Sequence, residues 1–390
     1  MSARRTGPLA GIRVVELPNI GPVQHAGMIL SDLGAEVLRL DRADHVRAGT
    51  GMQGPVGAHS VLDRGRRSVG VDLKHPDGAG VVLRLCERAD VLVEGFRPGV
   101  AERLGVGPDA CRARNRRLVY ARMTGWGQDG PLAHEVGHDI NYISLAGVLA
   151  HIGPAGGPPV PPINLVGDFG GGSMLLVVGV LAALVERSLS GEGQVVDAAM
   201  VDGSALLMSV FHAVDQLGAW GPRGTNLLDG GAHWYGVYET ADGAHVSVAA
   251  FEPRFYAEFL RVLGLDDLDP AQQMDRDQWP ALKERVAAIF RTRTRDEWIE
   301  VMRGHEVCFA PVLTMAEARA HPHNVARGTF VEVDGVHQPG PAPRFSRTPG
   351  AVQRPPVPTG SDTDAALQEW GFEPAEIDAL VASGALARAR

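Results

Sequence analysis

The chain has 390 residues, more than one core of ordinary size needs, so about two domains are expected. Its 37 Lys and Arg against 46 Asp and Glu leave a net charge of −9, which argues against a protein built to hold nucleic acid phosphates. A hydrophobic content of 45% with 21% charged residues is too apolar for a chain disordered throughout.

In chain order, Ile12 to Leu17 reads as a buried strand, Pro22 to Leu33 as a helix closed by Gly34, and Glu36 to Leu40 as a second strand, a βαβ opening. Further strands are predicted at Ser68 to Leu73, Val91 to Val93 and Arg117 to Met123, with helices around Ala79 to Arg88 and Pro108 to Arg114. Helical patterns follow at His138 to Leu149, Asp168 to Arg187 and Val201 to Leu217, and the Gly-rich stretch Gly218 to Gly231 reads as a linker. Tyr235 to Glu239 and His245 to Ala250 alternate around a turn, which predicts a hairpin. Thr294 to Glu297 has capping-box spacing, residues 339–360 are Pro-rich, and Pro374 to Ala382 reads as a last helix. The fold class expected is α/β: a large Rossmann-like domain with a mainly parallel sheet, plus a smaller α+β domain. The expected division is 1–200 for the large domain, 201–230 for a helix and linker, 231–318 for the small domain, and 319–390 for a return segment packing on the large one.

The apolar run Met174 to Val185 is 12 residues, short of the ~20 that a membrane-crossing helix needs, so no membrane span is expected. Cys86, Cys111 and Cys308 are far apart and fit reduced thiols. With no secretory or peroxisomal pattern at the ends, a cytoplasmic location is expected. His321-Pro322-His323 lacks a third ligand nearby, so no metal is expected.

Thr124 to Gly130 carries the letters G-x-G-x-x-G, but Pro131 follows and no acidic residue ends a strand about 20 residues on, so a glycine turn is the better reading. Arg42 stands just past the second strand, and Arg64, Arg66, Arg67 and Arg97 also fall at strand edges. In an acidic chain these suggest local contacts to a small phosphorylated ligand. His138 stands at a helix start, and Asp168 opens a long apolar helix ahead of three glycines whose bare amides suit an oxyanion. Read from the residues alone, a structural His and a capping Asp stay open.

Four segments carry a resemblance: Tyr120 to Gln128, Gly137 to Leu145, Pro161 to Met174 and Gly193 to Gly203, with Leu228 to Gly231 and Phe251 to Pro253 extending it. They resemble the α-methylacyl-CoA racemase branch of the family III CoA-transferase superfamily. The resemblance implies that His138 and Asp168 are the acid/base pair of a 1,1-proton transfer between R and S 2-methylacyl-CoA thioesters, and that Glu252 orients or polarises His138. It implies that CoA is part of the substrate, with no separate cofactor, and that Arg42, the segment Gly70 to Lys74 (Val71, Asp72, Leu73, Lys74), Arg97 and the loop Gly137, Asp139, Ile140, Asn141, Tyr142 bind it. An interlocked homodimer is implied as well.

A His side chain, with an ordinary pKa of ~6.5, suits the base, whereas Asp168 must be protonated in one direction and so needs a partly dry site. Backbone amides or Asn141 would hold the enolate oxygen. The alternative is a family III CoA-transferase in which Asp168 is the nucleophile of an anhydride and CoA-thioester sequence. A carrier that keeps the fold without chemistry is a third reading. The Gly-rich Ala43 to Leu62 stretch, and His233 and Gly236, depart from the racemase pattern near the expected acyl pocket. Met28, Met174, Met200 and Met208 are expected to offer a pliable apolar surface.

Overall fold

The structure, a computed structural model, describes residues 5–49 and 59–389. The chain divides into two compact units, the first taking residues up to Ala146, Ile163–Leu207 and Val325 onward, the second Gly147–Pro162 and Met208–Asn324. The expected boundary at 200 thus falls at 207 and that at 318 at 324, and residues 147–162 join the second unit.

The first unit is built on six parallel strands: β1 (Arg13–Glu16), β2 (Glu36–Arg42), β3 (Arg67–Val71), β4 (Val91–Glu94), β5 (Val119–Thr124) and β6 (Val195–Ala199). They run in the order β3-β2-β1-β4-β5-β6, and Leu386–Ala387 adds an antiparallel edge beside β3. A parallel sheet is covered on both faces, so its strands carry unbroken apolar runs. Val14 and Val15, Val37 and Leu38, and Val91 to Val93 are accordingly buried. The helix Pro22–Asp32 covers one face, opened by Pro22 at its first position and by Gly21 at φ 58, a backbone state that only glycine adopts cheaply. Residues of the C-terminal segment pack on this unit, with Trp370, Phe372 and Ile377 in one core with Val15 and Leu38.

Three arginines expected at a phosphate are instead paired with carboxylates of this unit, two of them in its interior. Arg64 is buried against Asp32 at 2.5 Å, Arg66 against Glu16 at 2.5 Å, and Arg67 reaches Glu369 at 2.7 Å. A guanidinium in the interior must be paired, and the carboxylates that pair with these arginines leave them nothing to offer a ligand.

The second unit holds a three-stranded antiparallel sheet, β7 (Tyr235–Glu239), β8 (His245–Ala249) and β9 (Phe309–Pro311), in that order. The predicted hairpin is β7 and β8. Trp234, Phe259, Phe290 and Trp298 form its core. The capping box is present: the Thr294 N–H donates to Glu297 at 2.8 Å, and the Glu297 N–H to Thr294 Oγ1 at 3.3 Å.

Two expectations fail for local reasons. The helix predicted over Val201 to Leu217 is two, Met200–Leu207 and Ser209–Gln216, broken where the chain passes between units. The stretch Gly218 to Gly231 is not a loose linker, because the Asp229 carboxylate accepts the N–H groups of Gly224 and Asn226, each at 2.7 Å, and Asn226 is buried. The apolar segment is also longer than the 12-residue run. Leu165–Ser190 is a continuous 26-residue helical stretch, long and apolar enough by length and composition to cross a membrane, and in this fold it lies against β5 and β6.

Arg66→Met would strand the Glu16 carboxylate in a site with no solvent. The expected cost is about 3–5 kcal/mol in urea denaturation, and a loss below 1 kcal/mol would show that Glu16 takes up a proton or water at little expense.

Candidate functional site

In an open α/β sheet of this order, the loops leaving β1 and β4 turn to opposite faces, and the gap between them at the strands' carboxyl ends is where ligands bind. A cavity of about 960 Å³ lies there. Ile20 to Val23 line it after β1, Gly95 to Pro98 after β4, and Met123 to Trp126 at the end of β5. His138, Asn141, Tyr142, Asp168 and Met200 also stand in the wall, so the two expected acid/base residues share one cavity.

His138 precedes the short helix Asp139–Leu145 as its N-cap, in an extended conformation with φ −133, rather than opening a helix that runs to Leu149. Its backbone N–H donates to Asn141 Oδ1 at 3.0 Å. Asn141 therefore spends its carbonyl on the cap and keeps only its amide N–H groups for a ligand. Tyr142 donates its hydroxyl to Gly137 O at 2.5 Å and packs edge-on against Trp126, with ring centroids 4.8 Å apart. A Cβ on Gly125 would strike the Tyr142 ring, which explains that glycine in the turn.

Asp168 does not cap an α-helix. It is the fourth residue of a π-helical segment, Leu165–Met174, which leads into the α-helix Leu175–Ser190. Its Oδ2 accepts from Asn164 Nδ2 at 3.0 Å, and its backbone N–H donates to Asp139 Oδ2 at 2.8 Å. Burial raises the Asp168 carboxyl above the ordinary carboxylate range; the Asn164 hydrogen bond opposes this, the Asp139 charge adds to it, and His138 opposes it. That direction is what a partly dry acid requires. The glycines after it serve packing rather than an oxyanion: a Cβ on Gly171 would come within 2.6 Å of Ser204 N, and one on Gly172 within 2.9 Å of Gly167 O.

The expected binding residues divide into two groups. Arg97, Gly137, Asn141 and Tyr142 line the cavity, and the Arg97 guanidinium has no hydrogen-bond or ion-pair partner among the described residues. Arg42, Val71, Asp72, Leu73 and Lys74 lie together at the ends of β2 and β3, where Arg42 is in register with Val71, and they do not line it. The exposed Arg42 guanidinium pairs with Asp44 at 2.6 Å. Asp139 is buried behind the wall and Ile140 is exposed outside it. Of the stretch 43–62, residues 50–58 lie outside the described residues.

Glu252 is in the second unit, exposed at the N-cap of the helix Pro253–Val262, where its backbone carbonyl accepts from the Tyr256 N–H at 2.9 Å while its carboxylate has no hydrogen-bond or ion-pair partner among the described residues. His233 belongs to that unit's core, its Nε2 2.8 Å from the Tyr256 hydroxyl, and burial lowers its pKa to about 4. Gly236 lines a separate cavity of about 770 Å³ with Met208, Phe211 and Trp220. The four methionines form no single surface, since Met28 is buried, Met174 exposed, and Met200 and Met208 line different cavities. Sequence reasoning missed Ile20, Phe96 and Trp126 as lining, although their places after β1, β4 and β5 were the available signal. Among the described residues no group of three His, Cys, Asp or Glu side chains stands together as metal ligands do.

Asp168→Asn removes a carboxyl whose anion the fold disfavours while leaving an oxygen to accept from Asn164. A raised pKa costs stability above the folded pKa and nothing below the unfolded value of ~3.9. The variant should therefore melt higher than the parent near pH 7, and the gain should vanish as the pH falls to ~4. A gain that grows on acidification would reverse the assigned direction.

The sequence pattern of CoA-transferase family III matches residues 9–363. Alpha-methylacyl-CoA racemase from Mus musculus is 44% identical over 373 residues, covering 95% of this chain and 95% of that protein. The protein of the same name from Homo sapiens is 43% identical over 375 residues, again 95% of each. A solved CAIB/BAIF family protein from Brucella suis, 24% identical, shares the fold with a TM-score of 0.79 over 94% of this chain and 100% of that one. The racemase-like segments therefore stand in a likeness that runs nearly end to end, and the chain belongs to CoA-transferase family III.

Proposed function

We propose that the protein interconverts the R and S forms of a 2-methylacyl-CoA thioester by 1,1-proton transfer. The observation that carries this reading is the shared cavity of His138 and Asp168, with burial biasing Asp168 toward its protonated form. In one direction the His138 imidazole takes the α-proton: the C–H bond breaks, an N–H bond forms, and the electron pair passes into the thioester as an enolate. Asp168 then delivers its O–H proton to the opposite face of the carbon. The reverse direction exchanges the roles. Because the two enantiomers bracket one enolate, the working form carries one proton over the pair, and kcat/KM follows a bell whose limbs belong to the pair. The alternative, with Asp168 attacking the thioester carbonyl, needs an anionic carboxylate, the form that burial disfavours.

CoA enters as part of the substrate, and the reading invokes no further cofactor. Arg97, the unpaired cation of the cavity wall, is assigned to a phosphate, with Gly137, Asn141 and Tyr142 beside the thioester. Arg42 and Val71 to Lys74 are assigned to the far end of CoA, where Arg42 must leave Asp44 to bind. Glu252 is assigned as the group that polarises His138, in a homodimer. The relatives named as racemases and the exposed, unpartnered Glu252 carboxylate support these assignments.

A single-enantiomer 2-methylacyl-CoA in deuterated water, followed by proton NMR without any acyl acceptor, should lose its α-proton signal, and His138→Ala should abolish the loss. No exchange in the parent, with hydroxylamine trapping an Asp168 acyl species during turnover, would establish the transferase instead. Arg97→Ala is expected to raise KM about tenfold, more than Arg42→Ala, because the Arg42 contact must first give up an ion pair. Equal effects would place the phosphates elsewhere. Glu252→Gln should lower kcat, and an unchanged kcat would remove Glu252 from the site.

A further inference from the structure

We propose that Asp139 is the brace of the site, a positioning residue whose side chain ties the His138 segment to the Asp168 segment. The inference rests on the reading that these two groups move the proton. Asp139 follows His138 directly in the chain, and its Oδ2 accepts the backbone N–H of Asp168 at 2.8 Å, across 29 residues of sequence. It is buried, with 7% of its surface exposed, and it does not line the cavity. A CoA ligand in that cavity therefore meets its neighbours and not its carboxylate.

The geometry around the carboxylate is built for this contact. A Cβ at Gly167 would lie 2.5 Å from Asp139 Oδ2 and 3.2 Å from Asp139 O, so only glycine lets the two segments close on each other. Within a π-helical stretch the N–H of an early residue has no partner in its own helix, and Asp139 supplies one from outside. One end of the tie is covalent, through the peptide bond to His138, and the other is a charge-assisted hydrogen bond to the residue that carries the second acid/base group. Proton transfer to the two faces of one carbon needs two groups held at a set separation, and small misplacements cost much of the rate. Asp139 also acts through charge, since its carboxylate disfavours the anion of Asp168.

Position and charge separate in two variants. Asp139→Ala removes the acceptor, and kcat should fall by about 10²-fold with KM changed by no more than about twofold. Asp139→Asn keeps an oxygen for the Asp168 N–H and drops the charge. Its kcat should stay within about threefold of the parent, and the acidic limb of its kcat/KM profile should move to lower pH. A raised KM with kcat intact in either variant would make Asp139 a substrate-binding residue and overturn the proposal. An acidic limb unmoved in Asp139→Asn would overturn the charge effect. Should Asp139→Ala not fold, the tie is decided on the Asp168 amide, followed by hydrogen exchange in the folded parent and in Asp139→Asn: slow exchange in both supports the tie, and an amide that exchanges freely in the parent sinks it. That exchange reads the contact with no substrate present, whereas α-proton exchange by the unsubstituted protein decides the racemase reading, so the two fail separately.

Discussion

A reversal of strand order at β1 and β4 is the constraint from which the site follows. Two neighbouring parallel strands whose following segments leave toward opposite faces must part at their carboxyl ends, and the parting makes a concavity no side chain fills. At its edge stand buried charges. Glu16 ends β1 and is held by Arg66, and Glu94 ends β4, where its carboxylate accepts from Arg122 at 2.8 Å and from the Phe96 N–H at 2.6 Å. These pairs are costly as stability devices. Here they stiffen the turns that form the cavity wall, including the one that presents Arg97.

Much of the fold was legible because its signals are local. The apolar runs of β1, β2 and β4, the proline at the start of Pro22–Asp32 and the alternation of β7 and β8 each follow from a few adjacent residues. What local pattern could not supply was the partner of a charge. Arg64, Arg66 and Arg67 sit at strand edges like ligand-binding arginines, and only the tertiary structure brings Asp32, Glu16 and Glu369 to them. Similarly, Asp229 turns the Gly-rich segment 218–231 into an ordered one by accepting backbone N–H groups within five residues, a pattern hidden by the glycines.

The candidate site was half legible. His138 and Asp168 came from resemblance, and the structure puts them in the wall of one cavity, whereas composition and spacing alone left both as structural residues. Asp139 shows the limit: beside His138 it reads as part of a binding loop, yet its carboxylate faces inward to an amide 29 residues away. An acidic chain that uses most of its strand-edge cations internally leaves Arg97, among the described residues, as the unpaired cation lining the cavity, so an anion placed there would meet one directed positive charge rather than a diffuse field.

The π-helical winding of Leu165–Met174 carries a cost in evolvability. A segment closed by i→i+5 bonds holds more residues per turn than an α-helix, and loss of one residue would let it relax to the commoner winding. In an α-helix each residue is about 100° around the axis from the last, so a deletion among Leu165 to Gly167 would turn Asp168 by about that angle relative to Asn164, whose amide it accepts, while leaving the carboxyl itself chemically intact. The position of Asp168 therefore depends on the number of residues ahead of it in this segment as well as on their composition.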